Sequence, residues 1–98
     1  ARRFGVNVLA ADQQSLCQQL AGPVEQRFVG VTQFETAFGV PLLENATLNI
    51  ECTLHETHDA GDHLLVLGRI QNILVSRIHD PLLFLRGGYG TFAPNKQD

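Results

Sequence analysis

The sequence of 98 residues lacks methionine and tryptophan, and it contains a single tyrosine and a single lysine. Seven Lys and Arg residues against ten Asp and Glu residues give a net charge of −3 with the histidines neutral. This mild acidity argues against a nucleic-acid-binding surface, which needs clustered positive charge. No apolar run approaches the roughly 20 residues of a membrane-spanning helix. The first residues show no basic and apolar leader pattern, so we expect a cytoplasmic protein.

Cysteine is almost absent as well. Cys17 and Cys52 are too few for a disulfide framework, and their spacing is not that of a CxxC motif. The simplest interpretation is two buried thiols in a reducing compartment. Because no methionine begins the chain and a strand-like stretch follows almost at once, we expect that earlier strands of the domain precede Ala1.

The residues that are present suit a single globular domain over residues 1–98, with an apolar share of 44%. Residues 4–10 are short, apolar and rich in β-branched side chains, which predicts a buried strand. Asp12 is a candidate N-cap for a helix that begins at Gln13. Gly22 is a candidate to end that helix in a left-handed conformation.

The rest of the chain predicts mostly antiparallel strands. Residues 23–46 predict a short helix followed by irregular chain. Residues 47–55 alternate strictly between apolar and polar side chains, which indicates a half-buried strand. A turn at 59–62 joins it to an apolar strand over 63–75 in a hairpin, and 82–85 form a last strand. The predicted fold is mainly β with one clear helix, and such strands usually close into a barrel.

Three stretches stand in a recognisable order along the chain. They are residues 4–9 (FGVNVL) with Gln13 behind them, 61–63 (GDH) opening an apolar strand that contains Gly68, and 81–84 (PLLF) leading to Gly88 and Tyr89. Shorter matches lie at 39–43 (GVPLL) and at 51–52 (EC). Together they resemble the flavin reductase-like family of split-barrel flavin-binding proteins, which includes the reductase components of two-component flavin monooxygenases.

The resemblance implies an antiparallel split barrel of which this chain is the later part, with the family's first strands and much of its flavin contact before Ala1. It implies hydride transfer from NADH or NADPH to FMN or FAD, with the reduced flavin passed to a partner monooxygenase. It also implies a homodimer, with strands and residues 23–46 in the interface. Two alternatives are a non-catalytic flavin-binding module and a flavin-dependent reductase of a corrinoid or metal chelate.

The resemblance assigns candidate roles to two residues at the centre of the reaction. His63 is the candidate catalytic residue, because the histidine of the family's GDH motif lies beside the nicotinamide. Its alternative role is to bond a turn carbonyl or Asp62. Asn7 is a candidate flavin ligand, because its amide is polar inside an apolar strand. Its alternative role is to bond neighbouring backbone.

Three further residues are candidates for cofactor binding. Gln13, in the first helical turn, could reach the same cavity as Asn7, or it could be an exposed helix residue. Gly88 and Tyr89 could line the nicotinamide site, where the missing side chain of glycine permits close approach. Their alternative is a flexible strand end with a core tyrosine. Arg86 could meet a cofactor phosphate or be a solvated charge.

Two other patterns do not predict a site. His55, His58 and His63 suggest a metal, but structural zinc needs four ligands in compact geometry. Cys52 should point away from His55 across the strand, so we expect no metal. Residues 87–90 (GGYG) lack the further glycine and the following helix of a dinucleotide-binding fingerprint.

Overall fold

Seven strands and one α-helix make up the regular structure of residues 2–96, the part of the chain that this computed structural model describes. The helix α1 covers Gln14–Leu20, between 3-10 turns at Ala11–Gln13 and Val24–Gln26. The strands are β1 (Arg3–Val8), β2 (Gln33–Phe34), β3 (Leu42–Leu43), β4 (Leu48–Ala60), β5 (His63–Val75), β6 (Leu83–Leu85) and β7 (Gly88–Gly90). They form three antiparallel sheets, ordered β1-β4-β5, β2-β3 and β6-β7.

The predicted hairpin of β4 and β5 is confirmed and is the longest feature of the fold. The two strands pair along their whole length, and Gly61 turns the chain between them with a φ of 70°. β1 pairs with β4 only as far as Thr53. Residues 55–67 therefore extend beyond β1 as a two-stranded arm, whose side chains are exposed on both faces.

The half-buried strand at β4 is confirmed, but its most deeply buried side chains are polar. Asn49 is 0% exposed and Glu51 is 1% exposed. On the opposite face of the same sheet, Ile73 and Val75 of β5 are 56% and 67% exposed. An apolar sheet face therefore remains open within the described residues, while a polar face is covered.

The polar face can be buried because the segment over residues 33–44 supplies a partner for each polar group. The Oε2 atom of Glu51 accepts a hydrogen bond of 2.5 Å from the hydroxyl of Thr36. Asn49 donates from Nδ2 to the carbonyl oxygen of Leu43 at 3.1 Å. Buried polar groups that keep their hydrogen bonds are tolerated, whereas unpaired ones cost free energy.

The helix begins differently from the prediction. Asp12 is not the N-cap, because it lies inside the first 3-10 turn and its carboxylate pairs with Arg77. The side chain of Gln13 bonds the start of this turn instead, because its Oε1 atom accepts a hydrogen bond from the backbone N–H of Ala10 at 2.8 Å. The α-helix then begins at Gln14 rather than at Gln13. The long-range ion pair with Arg77 determines the position of Asp12, and the local preference of aspartate for N-cap positions does not.

The helix also ends without the predicted left-handed glycine. Gly22 has no positive φ. The backbone N–H of Ala21 bonds the carbonyl of Cys17 at 3.1 Å, and the N–H of Gly22 bonds that of Gln19 at 3.1 Å. Pro23 then directs the chain away with a φ of −56°, so a tightened last turn ends the helix.

The remaining segments form two short hairpins. Between residues 23 and 46, the predicted short helix is the 3-10 turn, and β2 pairs with β3 within the stretch predicted as irregular. The predicted last strand is β6, which pairs with β7. Two backbone bonds, Leu82 N–H to Leu9 O at 2.9 Å and Ala11 N–H to Asp80 O at 2.8 Å, join the chain before β6 to the end of β1.

Gly68 packs closely against Phe4 and Cys52, so a substitution at this position tests the packing. A Cβ atom there would lie 2.6 Å from Cζ of Phe4 and 3.3 Å from Cβ of Cys52. We expect Gly68→Ala to lower the free energy of unfolding by about 1–3 kcal/mol, because the ring must move out of its packed position. Urea unfolding measures the loss. Gly90→Ala is the matched control, because within residues 2–96 no atom outside its two chain neighbours lies within 4 Å of its Cβ position.

The second part of this test is a rescue. In a chain that carries Phe4→Leu, Gly68→Ala should lower the free energy of unfolding much less, because the clash is with the tip of the Phe4 ring. Equal costs of Gly68→Ala with and without the ring would contradict the packing described here.

Candidate functional site

An apolar cavity of about 420 Å³ lies against the same sheet face as Asn49 and Glu51. β1 forms one wall, and the end of α1 and the segment around β3 form the others. Its volume is within the usual range for sites that bind small molecules and cofactors. The lining residues are Arg3, Phe4, Gly5, Asn7, Leu20, Phe28, Gln33, Val40, Pro41 and Leu43.

Asn7 is the predicted site residue that lines this cavity. Its Oδ1 atom accepts two hydrogen bonds, from the backbone N–H of Leu43 at 3.0 Å and from Nδ2 of Asn49 at 2.7 Å. Asn49 in turn accepts from the hydroxyl of Ser76 at 2.5 Å. The carbonyl end of the Asn7 amide is therefore committed to the protein, and the role of its NH2 end as a flavin ligand stays a prediction.

Arg3 is a cavity residue that the sequence reasoning missed. Its guanidinium donates to the carbonyl oxygen of Phe38 at 2.9 Å and lies 5.0 Å from the centroid of the Phe38 ring. A fixed positive charge thus borders the apolar cavity. The period-2 alternation of a strand places Arg3 on the same face as Asn7, which is the signal that could have indicated it.

Gln13 lies outside this cavity, in a polar hollow of about 230 Å³ beside Glu44 and Asn45. Besides the bond to Ala10, its Nε2 atom donates to the carbonyl oxygen of Glu44 at 3.1 Å. Both ends of the Gln13 amide are therefore bonded to backbone. This arrangement favours a structural role, and cofactor binding by Gln13 stays a prediction.

Gly88 and Tyr89 lie in β7, next to α1. The Tyr89 ring meets Phe84 edge-on, with centroids 4.9 Å apart. The Tyr89 hydroxyl donates to Sγ of Cys17 at 3.7 Å, and this bond raises the pKa of Tyr89 because it stabilises the neutral phenol. Cys17 is half-buried, whereas Cys52 is buried, and both are free thiols. The structure places β7 outside the apolar cavity, so a nicotinamide role for Gly88 and Tyr89 stays a prediction.

His63 lies at the tip of the arm, far from Asn7 within one chain. Asn7 pairs with Asn49 and His63 pairs with Ala60, so the two sites are separated by about 35 Å of β4 at roughly 3.3 Å per residue. The His63 side chain is 81% exposed, and its Nδ1 atom is 2.6 Å from the carboxylate of Asp62. The five candidate residues therefore do not share one hollow in a single chain.

The arm carries the other histidines considered at the outset. His58 lies 2.8 Å from the carboxylate of Glu56, and His55 lies 3.7 Å from it. Within residues 2–96, no group of three or more His, Cys, Asp or Glu side chains is arranged to hold a metal ion. Arg86 occupies the β6–β7 turn with a φ of 53°. The same described residues contain no helix with the length and apolar composition required to cross a membrane.

Comparison of the sequence with models of protein families identifies the family of this chain. The model of the "Flavin reductase like domain" matches residues 1–93. The chain belongs to the flavin reductase-like family. This membership confirms the resemblance in the motifs, and the mainly β, antiparallel arrangement with one helix is the split-barrel fold of flavin reductase structures.

Curated relatives in this family include reductases from several bacteria. The chain is 39% identical over 93 residues to "Flavin-dependent monooxygenase, reductase subunit HsaB" of Rhodococcus jostii, covering 95% of this chain and 48% of that protein. It is also 39% identical over 93 residues to a "Flavin reductase" of Pseudomonas putida, covering 95% and 55%. The chain thus spans about half the length of these relatives.

Solved structures of flavin reductase-like proteins superpose on the chain. A nitrilotriacetate monooxygenase component B homologue from Mycobacterium thermoresistibile matches with a TM-score of 0.86 and 33% identity, covering 98% of this chain and 55% of that one. An NADH:FAD oxidoreductase of Streptomyces globisporus, in complex with NAD and FAD fragments, matches with a TM-score of 0.87 and 28% identity, covering 98% and 59%.

An ion pair holds together the elements beside the family's FGVNVL motif. Arg77 contacts both carboxylate oxygens of Asp12, one of them at 3.1 Å, and donates from Nε to the carbonyl of Asn45 at 2.8 Å. The hydrogen bond from Arg77 lowers the pKa of Asp12 below its usual 3.8. The chain after β5 is thereby tied to the first 3-10 turn and to the loop before β4.

The lowered pKa of Asp12 predicts a stability that depends on pH. A carboxyl group with a depressed folded-state pKa stabilises the fold above its unfolded-state pKa, and this contribution is lost as the pH falls through the folded-state value. We expect Asp12→Asn to lower the melting temperature at pH 7 and to have a shrinking effect below about pH 4. Asp59→Asn, on the exposed arm, is the control. A difference between the natural protein and Asp12→Asn that stays constant from pH 7 to pH 3 would contradict this role.

Proposed function

We propose that the protein containing this domain is an NAD(P)H-dependent flavin reductase, which transfers hydride from a reduced nicotinamide to FMN or FAD. The observation that carries the proposal is an apolar cavity beside the FGVNVL strand in a member of the flavin reductase-like family. Such a cavity suits a flat, largely apolar ring with polar edges. The amide of Asn7 and the guanidinium of Arg3 are the polar groups at hand for those edges.

The hydride chemistry belongs to the two cofactors when they are bound. The contribution of the protein is to hold a ring in the cavity, orient its edges and exclude water. Phe28, Val40 and Pro41 supply apolar walls for that purpose. We propose that this cavity holds one planar ring, and within residues 2–96 His63 does not lie beside it.

A homodimer supplies the missing element of the proposed site. Leu64, Leu65, Val66 and Leu67 of the arm are 40–57% exposed, and within residues 2–96 the outer edge of β5 has no partner strand. Long apolar edge strands are normally covered. We propose that a second copy covers the arm and the exposed apolar residues of segment 23–46, among them Phe28 and Val29. In this proposal the site is incomplete without that copy, because His63 lies about 35 Å along β4 from the cavity of its own chain.

The proposed use of the reduced flavin is to supply a flavin-dependent monooxygenase. The supporting observation is that relatives are named reductase subunits or components of such monooxygenases. A non-catalytic flavin-binding module is the second candidate, favoured by the distance between His63 and the cavity within one chain. A flavin spectrum that does not respond to NADH or NADPH would support this second candidate.

The complete natural protein provides the test of turnover. We expect FMN or FAD to stimulate its oxidation of NADH or NADPH, followed at the nicotinamide absorbance band. His63→Ala should lower kcat/KM by roughly tenfold to a hundredfold, the size expected for one lost hydrogen bond to a charged or polar cofactor group. His58→Ala is the matched control, since it also removes an exposed arm histidine paired with a carboxylate.

Three results would contradict the proposal in different ways. Oxidation of NADH and NADPH no faster than with free flavin alone would rule out the reductase activity. Equal effects of His63→Ala and His58→Ala would remove His63 from the site. A monomer at micromolar concentration in sedimentation would rule out the shared site between two copies.

A further inference from the structure

A buried chain of amides connects the cavity to the centre of the sheet. Asn49, which is 0% exposed, binds at both ends of its amide. Its Nδ2 atom donates to Oδ1 of Asn7 at 2.7 Å and to the carbonyl of Leu43 at 3.1 Å, and its Oδ1 atom accepts from Ser76 at 2.5 Å. Asn49 was not among the residues that the sequence indicated.

Backbone groups determine the orientation of both amides in this chain. A backbone N–H can only donate, so the atom of Asn7 that lies 3.0 Å from the N–H of Leu43 must be the oxygen. A backbone carbonyl can only accept, so the atom of Asn49 that lies 3.1 Å from the Leu43 carbonyl must be the nitrogen. The two amides therefore cannot exchange their ends without losing hydrogen bonds.

The consequence is a defined polarity at the cavity wall. Oδ1 of Asn7 is occupied by two donors, and its Nδ2 atom forms no hydrogen bond with the other residues in 2–96. We infer that Asn49 is a positioning residue, which holds Asn7 so that its NH2 group is available as a donor to the cavity. The ligand group that meets Asn7 is then an acceptor, such as a carbonyl oxygen or an unprotonated ring nitrogen. This inference rests on the proposed function, in which the ligand is the ring system of a flavin.

Asn7→Asp replaces the NH2 donor that faces the cavity with an acceptor, and it leaves the contacts with Leu43 and Asn49 in place. One carboxylate oxygen can still accept from Leu43 and Asn49, while the other replaces the NH2 donor with a negatively charged acceptor. We expect the Kd for FMN and for FAD to rise at least tenfold, as measured by quenching of flavin fluorescence. The melting temperature should change little, because both buried donors keep an acceptor.

Asn49→Asp tests the positioning role through Asn7. A carboxylate beside Oδ1 of Asn7 removes one of the two donors to that oxygen and places two acceptors together, so the Asn7 amide should no longer be held in one orientation. We expect this variant to lose flavin affinity by a factor similar to that of Asn7→Asp. Its bound flavin should also show a shifted reduction potential, because the donor to the ring is no longer held in place.

Thr47→Val is the matched control for these variants. The hydroxyl of the buried Thr47 donates to the carbonyl oxygen of Val8 at 3.0 Å, so the substitution removes another polar contact beside β1 without touching Asn7 or the contacts of Glu51. A structural role of Asn49 alone predicts that Asn49→Asp and Thr47→Val lower the melting temperature and leave flavin affinity unchanged. The positioning role predicts loss of flavin affinity in Asn49→Asp only.

The outcomes separate this inference from the proposed function. A natural protein that binds no flavin and oxidises no NADH or NADPH overturns the proposed function and the inference together. A natural protein that reduces flavin, with unchanged Kd in Asn7→Asp, overturns the inference alone. If Asn49→Asp does not fold, Asn7→Asp with its melting temperature still decides whether the donor faces the ligand.

Discussion

The structure depends on the burial of a polar sheet face under the segment that carries β2 and β3. Two residues of β4, Asn49 and Glu51, are almost completely enclosed there. An unpaired buried group of this kind costs about 1–3 kcal/mol. Each of the two is therefore bonded: Glu51 accepts from Thr36 and from Asn72, and Asn49 binds through both ends of its amide. The bonds attach a loop with little regular structure to the long strand β4.

This attachment also builds the cavity. The Glu51 carboxylate holds Thr36, whose hydroxyl accepts from the backbone N–H of Phe38. Phe38 in turn receives the guanidinium of Arg3 on its carbonyl oxygen and its ring. Asn49 holds Asn7 from the other side. Both polar groups at the cavity wall are consequently oriented from β4, so the sheet supports the site as well as the fold.

The arm over residues 55–67 belongs to the same sheet and arises from the length of its strands. β4 and β5 continue past the end of β1, and no other described strand pairs with the outer edge of β5. Apolar side chains there have no cover within residues 2–96, and the same is true of the face that carries Ile73 and Val75. Exposed apolar surface of this extent marks a place where other protein surface packs.

Local chemistry was sufficient to predict several elements from the sequence. Alternation over residues 47–55 and the turn before His63 indicated the hairpin, because the strand period and the turn preference of Gly61 act over a few residues. The ordered motifs indicated the family, which the match over residues 1–93 confirmed. Asn7 was identified as a site candidate because an amide inside an apolar strand is unusual.

Long-range contacts decided the rest. Alternation shows that a strand has two different faces, but the packing of segment 33–44 determined that the polar face of β4 is the buried one. Asp12 could cap a helix or pair with Arg77, which is 65 residues away in the sequence, and it pairs with Arg77. The separation of His63 from Asn7 follows from the register of three strands. Hydrogen bonds and ion pairs between distant segments depend on which surfaces meet, and only the tertiary structure defines those surfaces.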